Sequence, residues 1–206
     1  MDIGGSSMKS LRLTAMLCAV LFLGMTGCEP KAAESEPDSS AETTIAGAAV
    51  TPLPAVTTFT AQTMDGGTFT SEDLAAADIT VINIWQTTCP PCISEMPELA
   101  RLEKALPDNV RFVTWCLDAP TYPGTSKHIM EKAGFEGTTL TSAEGDLLTM
   151  VYQVMYTPTT VFLDSKGNHA APELVGSPEQ TIETYMTYIN AALREVGKED
   201  IVINLD

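Results

Sequence analysis

The stretch ITVINIWQTTCPPC, residues 79–92, contains the signals that decide the fold and the chemistry of this chain. Its first half, residues 79–85, is a nearly continuous run of β-branched and apolar residues, which is typical of a central strand buried on both faces. Its second half contains two of the chain's five cysteines, Cys89 and Cys92, separated by two prolines. The pair is a redox couple, half of a metal site or a structural disulfide.

The start of a helix at the two cysteines favours the first of these uses. A helical pattern covers residues 91–105, and Pro90 suits a first helical turn, whose amides have no partner inside the helix. Because both prolines lack an N–H, the Cys92 amide is the first one able to face the Cys89 sulfur. A thiolate at a helix N-terminus is stabilised by the helix dipole. We therefore predict that Cys89 is the exposed, attacking thiol and that Cys92 is the more buried thiol that resolves a mixed disulfide.

The other two uses fit the sequence less well. A structural zinc site needs four ligands, and the remaining candidates, Cys116, His128 and His169, lack the spacing of a zinc knuckle. We therefore expect no metal and no cofactor. A purely structural disulfide between Cys89 and Cys92 would close a very small loop and restrict the unfolded chain little.

The composition of the chain limits its size class and its partners. A length of 206 residues with 44% hydrophobic residues suits one domain with a substantial core plus accessory segments. The 27 Asp and Glu residues against 11 Lys and Arg residues give a net charge of -16, which argues against nucleic acid as a partner. We interpret the acidity as an aid to the solubility of an exported protein, and we expect a monomer.

The first 28 residues differ in composition from the rest of the chain. Lys9 and Arg12 precede an apolar run, residues 13–25, that is too short for a membrane span of about 20 residues and is typical of a secretory signal. The tetrapeptide MTGC that ends this segment resembles the lipobox of bacterial lipoproteins, in which the cysteine is lipidated. We therefore expect residues 1–27 to be a lipoprotein signal peptide and Cys28 to be lipidated; a plain signal peptide cleaved nearby is the alternative.

A flexible tether is predicted for residues 28–53, which are rich in Ala, Ser, Thr, Pro and Glu and contain no aromatic residue. Such a segment cannot bury enough apolar surface to offset its chain entropy. A tether of this length lets an anchored domain reach on the order of 30 Å from the membrane. Export also places the domain outside the cytosol, where a disulfide persists.

Beyond the tether, residues 54–196 have the periodicity of a globular α/β domain. Asp65-Gly66-Gly67 joins the first two predicted strands in a β-hairpin. Strands that alternate with helices predict a sheet containing parallel pairs. The predicted strands are residues 59–63, 68–70, 79–85, 110–116 and 159–164, and the predicted helices are residues 91–105, 124–134 and 145–154.

The end of the domain has its own local signals. A weak edge strand is predicted for residues 170–175. Ser177 is the predicted N-cap of a final helix, with Pro178 at its first position and Gln180 closing a capping box. Residues 197–206 form a C-terminal tail, either an additional strand or a loose end.

Taken together, these features resemble the TlpA/ResA-like branch of thioredoxin-fold thiol-disulfide oxidoreductases. The resemblance depends on the exported leader, the hairpin, the strand-W-x-x-x-C-P-P-C-helix unit and the Thr157-Pro158 segment, and it covers about residues 54–196. It implies a thioredoxin-like three-layer α/β fold with a central mixed sheet and an added N-terminal β-hairpin.

The same resemblance implies a role for several residues. It assigns Cys89 and Cys92 to the redox pair and makes Pro158 a cis-proline that faces them. A cis peptide bond would turn the backbone of Thr157 outward, toward an extended substrate chain. Glu95 matches an acidic residue that tunes the active-site thiols, and it is a candidate general base for Cys92. The alternative for Glu95 is an exposed glutamate favoured by the helix dipole.

Two further residues complete the predicted substrate-binding set, Trp85 at the end of the central strand and Thr88 directly before the first cysteine. Members of this family often have an aromatic residue at the position of Thr88. This departure leaves the identity of the docking partner open, whereas the expected exchange chemistry is unaffected. Cys116 ends a predicted core strand and is interpreted as a small buried apolar residue, with a third redox thiol as the alternative.

The resemblance implies a membrane-anchored thiol-disulfide oxidoreductase on the extracytoplasmic side, which reduces disulfides in exported proteins such as apocytochrome c. A membrane thiol carrier is the implied electron donor. Two alternatives stay open: a lipoprotein that binds a partner and has an inert disulfide, and a peroxiredoxin-like thiol peroxidase. Residues 82–89 lack the P-x-x-x-T-x-x-C pattern of peroxidatic cysteines. The sequence does not decide the direction of exchange, which depends on how strongly the fold stabilises the thiolate.

Overall fold

The central strand β3, Ile79–Trp85, organises a seven-stranded sheet in the computed structural model, which describes residues 53–205. All seven residues of β3 are buried. Strand β4, Val110–Cys116, pairs with it in parallel, and strand β6, Thr159–Asp164, pairs with its other edge in the antiparallel sense. The three strands have the bounds that the sequence predicts, because a strand covered on both faces must be apolar almost throughout.

Four further strands extend the sheet: β1, Phe59–Thr63; β2, Thr68–Thr70; β5, Thr138–Gly145; and β7, Leu174–Val175. Their order across the sheet is β2-β1-β5-β4-β3-β6-β7. β1 pairs antiparallel with both β2 and β5, whereas β4 and β5 are parallel. The turn between β1 and β2 contains Gly66 at a φ of 87°, a backbone conformation that glycine adopts without steric cost. The sheet is therefore mixed, as predicted.

Five helices cover the two faces of this sheet: α1, Ser71–Leu74; α2, Pro90–Ala105; α3, Pro123–Ala133; α4, Asp146–Val151; and α5, Thr181–Glu195. Alternate side chains of β3 serve opposite faces. Val81 and Trp85 pack in a core with α2, α3 and α5, whereas Ile82 and Ile84 pack in a second core with α1 and α4. The predicted three-layer α/β fold is confirmed.

One strand is missing from the sequence-based prediction, because residues 138–145 show no continuous apolar run. In β5 the buried apolar side chains are Leu140 and Ala143. The buried hydroxyl of Thr139 instead forms a hydrogen bond of 2.9 Å with that of Thr114 on the neighbouring strand. A polar residue can be buried when its hydrogen-bond partner lies on a strand far away in the sequence. Such a residue leaves no local pattern from which the strand could be predicted.

The final helix begins three residues later than predicted. Gln180 is the N-cap of α5, without a side-chain hydrogen bond, so the predicted N-cap at Ser177 is wrong. The Gly176 N–H donates to the Pro158 carbonyl oxygen at 2.8 Å, and the Ser177 hydroxyl faces Glu95. Contacts with distant parts of the chain, and not a capping box, therefore fix the position of residues 176 and 177.

The two ends of the described chain also differ from the predictions or lie beyond them. Strand β7 is shorter than the predicted edge strand, residues 170–175. After α5, the Ile201 N–H donates to Asn190 Oδ1 at 2.9 Å, so the tail is neither a strand nor a loose end. The predicted signal peptide and Cys28 lie outside the described residues. Among the helices of residues 53–205, none has the length and hydropathy needed to cross a membrane.

Candidate active site

The junction between β3 and α2 places Cys89 and Cys92 in a disulfide, with an S–S distance of 2.02 Å. Cys89 is the N-cap of α2, and Pro90 is the first residue of the helix. The Cys92 N–H donates to Cys89 Sγ at 3.3 Å. The predicted position of the pair and the predicted orientation of this amide are therefore confirmed.

The two sulfur atoms differ in accessibility. Cys92 is fully buried, whereas 7% of the Cys89 surface is exposed. The predicted order of accessibility is confirmed, but Cys89 is less exposed than expected. Its Sγ lies 3.5 Å from the Thr157 carbonyl oxygen. Because a disulfide sulfur has no hydrogen, this is a contact in the oxidised form, and reduction to the thiol adds a donor at this distance.

The segment facing Cys89 contains the predicted cis-proline. The peptide bond between Thr157 and Pro158 is cis. Pro158 is buried directly before β6, whereas Thr157 is partly exposed. The structure therefore brings Thr157, Pro158 and the more accessible sulfur together, as the resemblance implies.

The surface beside this segment is apolar. Tyr152, Met155 and Tyr156, here called the aromatic patch, are 78%, 78% and 71% exposed. Met155 and Tyr156 line a groove of about 410 Å³ together with Val175 of β7. Thr88, directly before Cys89, is exposed as well. Large apolar groups clustered at a surface are typical of a site that contacts another molecule.

Trp85 does not belong to this surface. Its side chain is fully buried, and its Nε1 has no hydrogen-bond partner within the described chain. The alternation of β3 turns Trp85 toward the helical layer that contains Cys92, where it packs in the same core as the disulfide. The prediction that the Trp85 side chain contacts substrate is therefore wrong, because Trp85 supports the pair from the interior.

Glu95 lies one turn after Cys92 and is only 3% exposed, so the alternative of an exposed glutamate is wrong. Burial raises the pKa of its carboxyl group to about 7, because the charged form loses its hydration. Two groups oppose this effect: the Ser177 hydroxyl and the Asn83 amide, whose Nδ2 donates to Oε1 at 3.1 Å. The second oxygen, Oε2, has no hydrogen-bond partner among the described residues. The role of Glu95 as a base for Cys92 stays a prediction.

Three residues that carry no motif of their own in the sequence lie near this carboxyl group. Asn83 Nδ2 lies 3.1 Å from Thr160 Oγ1 and 3.0 Å from the Tyr185 hydroxyl oxygen, and these two hydroxyls are 2.8 Å apart. Burial raises the pKa of Tyr185, which therefore stays protonated. We call Asn83, Glu95, Thr160 and Tyr185 the buried polar cluster. Its one sequence signal is the amide of Asn83 inside a strand that is apolar apart from Thr80.

A second polar group fixes the loop that leads to Cys89. Asp118 accepts hydrogen bonds from the Thr87 N–H at 2.9 Å and from Thr87 Oγ1 at 2.6 Å. Partial burial opposes ionisation of Asp118, but its hydrogen bonds, those from Thr87 foremost, lower its pKa. The thiol of Cys116 also donates to Asp118, at 3.2 Å. Both this loop and β4 are therefore tied to one carboxylate.

Cys116 is a buried free thiol. Burial and the neighbouring Asp118 carboxylate raise its pKa, so it stays protonated. These surroundings favour the interpretation of Cys116 as a small buried residue. Within residues 53–205, His, Cys, Asp and Glu side chains form no group of three or more able to hold a metal ion.

A disulfide at the start of a helix, a cis-proline against its accessible sulfur and a central mixed sheet define a thioredoxin-fold protein with a Cys-x-x-Cys pair. Residues 48–189 match the Redoxin family, and the chain belongs to that family.

Three known proteins illustrate this similarity. The thioredoxin-like protein YneN of Bacillus subtilis (strain 168) is 29% identical over 121 residues, which are 53% of this chain and 63% of YneN. The chain therefore spans less than two thirds of that relative. The crystal structure of StoA from Bacillus subtilis matches at a TM-score of 0.54 with 22% identity and covers 66% of this chain and 98% of StoA. The structure of MTB dsbF, in mixed oxidized and reduced forms, matches at 0.55 with 26% identity and covers 68% of this chain and 98% of dsbF. The predicted TlpA/ResA-like thioredoxin fold is confirmed.

Proposed function

We propose that this protein is a thiol-disulfide oxidoreductase that acts on disulfides of other proteins. The observation that carries the proposal is the Cys89–Cys92 disulfide, whose more accessible sulfur lies 3.5 Å from the Thr157 carbonyl oxygen. A purely structural disulfide needs neither an accessible sulfur nor an apolar surface beside it. A pair that exchanges with a disulfide on another chain requires an accessible sulfur, and an apolar surface beside it supplies contacts to that chain.

The first step of the proposed reaction begins with both cysteines reduced. The Cys89 thiolate attacks one sulfur of the substrate disulfide, a new S–S bond forms, and the substrate S–S bond breaks. The leaving substrate sulfur takes up a proton and becomes a thiol. The Cys92 N–H, which faces Cys89 Sγ at 3.3 Å, stabilises negative charge on the attacking sulfur.

The second step releases the substrate. Cys92 gives its proton to Glu95, and the resulting thiolate attacks Cys89 Sγ, so that the mixed disulfide breaks and the Cys89–Cys92 disulfide forms. The second substrate sulfur leaves as a thiolate and is protonated. The substrate disulfide is thereby reduced to two thiols by two electrons, and the protein is oxidised by the same two electrons. A thiol reductant must then return the pair to the dithiol form.

The surroundings of the pair favour a polypeptide substrate. Thr157 presents backbone groups next to Cys89, and an extended chain can pair with such an edge. The aromatic patch continues the same surface along the chain and supplies apolar contacts at 71–78% exposure. A substrate with an apolar residue near its cysteine would therefore bury apolar area beside the reacting sulfur.

The proposal extends to the location and direction of the reaction. The apolar leader and the MTGC stretch support an exported protein that is lipidated at Cys28 and faces the extracytoplasmic side. We further propose that it reduces disulfides of exported proteins such as apocytochrome c and receives its electrons from a membrane thiol carrier. Among thioredoxin-fold proteins, reduction potentials range from about -270 mV for a reductant to about -120 mV for an oxidant.

Serine substitutions test the assignment of the two cysteines. We expect Cys89→Ser to abolish the protein-catalysed reduction of insulin, with dithiothreitol as the electron donor. We expect Cys92→Ser to accumulate mixed disulfides with its partners. Cys116→Ser is a matched control, because this thiol is buried outside the disulfide. Full activity of the Cys89→Ser variant would contradict the proposed function. A potential near -120 mV for the purified protein would instead overturn only the proposed direction.

A further inference from the structure

The side-chain nitrogen of Asn83 is surrounded by more hydrogen-bond acceptors than it has hydrogens to donate. Its Nδ2 lies within 3.1 Å of Glu95 Oε1, Thr160 Oγ1 and the Tyr185 hydroxyl oxygen, but an amide nitrogen has only two hydrogens. Its Oδ1 has no hydrogen-bond partner among the described residues, although it is fully buried. Turning the amide by about 180° would exchange the crowded and the unpartnered atom, so a second orientation with different hydrogen bonds is available to this buried side chain.

The observed orientation fits an ionised Glu95. The carboxylate is an acceptor only, and the amide N–H is its donor at 3.1 Å. The hydroxyls of Thr160 and Tyr185 are 2.8 Å apart, so one donates to the other, and the hydrogen of the second has no acceptor within the cluster. The cluster therefore contains one donor too many when Glu95 is charged.

The opposite orientation fits a protonated Glu95. A rotation of the amide by about 180° exchanges Oδ1 and Nδ2, which have nearly the same size and shape. Oδ1 then accepts a hydrogen bond from the protonated carboxyl group and another from Tyr185, while Thr160 donates to Tyr185. Every hydroxyl hydrogen of the cluster has an acceptor in this state, and the Nδ2 hydrogens are the unpartnered groups.

We infer that Asn83 is a positioning residue whose amide turns with the protonation of Glu95, facing the carboxylate with its N–H group and the carboxylic acid with its carbonyl oxygen. This inference rests on the proposed function, in which Glu95 takes the proton of Cys92. The amide then stabilises both states between which Glu95 must change during one exchange cycle. Asn83 does not touch substrate and acts through Glu95 alone.

The polar groups near Glu95 come from several elements of the fold. None of them is an ion that would fix the charge of Glu95 independently of Asn83. Burial of the carboxyl group is the larger influence on its pKa, and Asn83 and Ser177 oppose it. Asn83 on β3 and Ser177 before α5 lie against the carboxyl group, and Thr160 on β6 and Tyr185 on α5 contact Asn83. Cys92 lies one turn before Glu95 on α2.

The direct test is an NMR titration of the oxidised wild-type protein. We expect the side-chain ¹⁵N signal of Asn83 to titrate with the same midpoint as the ¹³C signal of the Glu95 carboxyl group. We also expect nuclear Overhauser effects between the Asn83 amide hydrogens and the Tyr185 ring above the midpoint, and their loss below it. The same contacts at both ends of the titration would overturn the inference.

Substitution supplies a second readout. In Asn83→Leu both protonation states of Glu95 lose a hydrogen bond, but the bond to the carboxylate is the stronger one. The Glu95 midpoint should therefore rise by no more than about 1 pH unit, as should the half-maximal pH of exchange. Thr80→Val is the matched control: Thr80 is buried on the same strand but on the opposite face, and its hydroxyl has no partner within the described chain. It should leave the midpoint in place. A rise of about 2 pH units or more in Asn83→Leu would overturn the inference, because it would mean that the amide stabilises the carboxylate alone.

The two proposals fail in different ways. The titration of the oxidised protein involves no substrate, so its outcome does not depend on exchange activity. If Cys89→Ser still reduces insulin, the proposed function is wrong, whereas the coupled titration of Asn83 and Glu95 is unaffected. If Asn83→Leu does not fold, the wild-type titration alone decides the inference.

Discussion

Replacing Glu95 by glutamine should change how the stability of the oxidised protein depends on pH. Burial raises the pKa of this carboxyl group from 4.5 to about 7 in the folded protein. Between these two values the folded state holds a proton that the unfolded state has released. Because stability falls with pH wherever the folded state binds more protons, Glu95 destabilises the fold progressively from about pH 4.5 to about pH 7.

The magnitude follows from the size of this shift. Each pKa unit corresponds to about 1.4 kcal/mol, so the wild-type protein should lose about 3 kcal/mol through Glu95 by pH 8. The glutamine of Glu95→Gln is neutral at every pH and keeps an oxygen that accepts from Asn83. We therefore expect the variant to equal the wild type near pH 4.5 and to exceed its stability by up to about 3 kcal/mol at pH 8.

Urea denaturation of both oxidised proteins between pH 4.5 and pH 8 measures this difference. Subtracting the two curves removes the contributions of the other titrating groups, provided that they are unchanged. Glu98→Gln is a control on the same helix, because the Glu98 side chain is 43% exposed and its removal should alter stability by less than about 0.5 kcal/mol at any pH. Parallel stability curves for the wild type and Glu95→Gln would refute the reasoning, because they would mean that Glu95 does not titrate differently in the folded state.

Two further substitutions test contacts around the site and the sheet. Asp118→Asn should cost about 1–2 kcal/mol and accelerate hydrogen exchange of the Thr87 amide, because the acceptor of two hydrogen bonds loses its charge; unchanged exchange would contradict this role. Gly167→Ala should lower the melting temperature more than Gly66→Ala. Both glycines have positive φ, but a Cβ at Gly167 would lie 1.9 Å from the Val56 carbonyl oxygen, whereas Gly66 has open space around it. Equal decreases in melting temperature would contradict this expectation, because they would mean that the positive φ alone, and not the contact with Val56, destabilises the variants.

The sequence predicts the centre of the sheet accurately and its outer parts poorly. The bounds of β3 follow directly from the apolar run Ile79–Trp85, because burial on both faces leaves little choice of residue. The start of α2 is equally clear, because the Pro90-Pro91 pair suits a first helical turn, where no intrahelical N–H is lost. β5 is missed because the burial of Thr139 depends on Thr114, which is 25 positions earlier in the chain. A hydrogen bond between residues that are far apart in the sequence cannot be predicted from a local sequence pattern.

The same distinction applies to the site. The cysteine pair is predictable because its chemistry is contained in four consecutive residues, Cys89 to Cys92. The buried polar cluster joins residues on β3, α2, β6 and α5, and Asn83 is 102 positions away from Tyr185. Tyr185 is fully buried, and the partner of its hydroxyl follows only from the packing of α5 on the sheet.

The surroundings of Thr88 show where partner choice is expected to lie in this protein. Thr88 is exposed between two fixed neighbours, Thr87, which Asp118 holds, and Cys89, which caps α2. Its side chain is therefore presented by a restrained loop, but a threonine offers little apolar area to a docking partner. The large exposed apolar groups belong instead to the aromatic patch, on the segment that precedes Thr157. Because apolar anchors dominate the energetics of docking, partner choice should depend more on that patch than on Thr88.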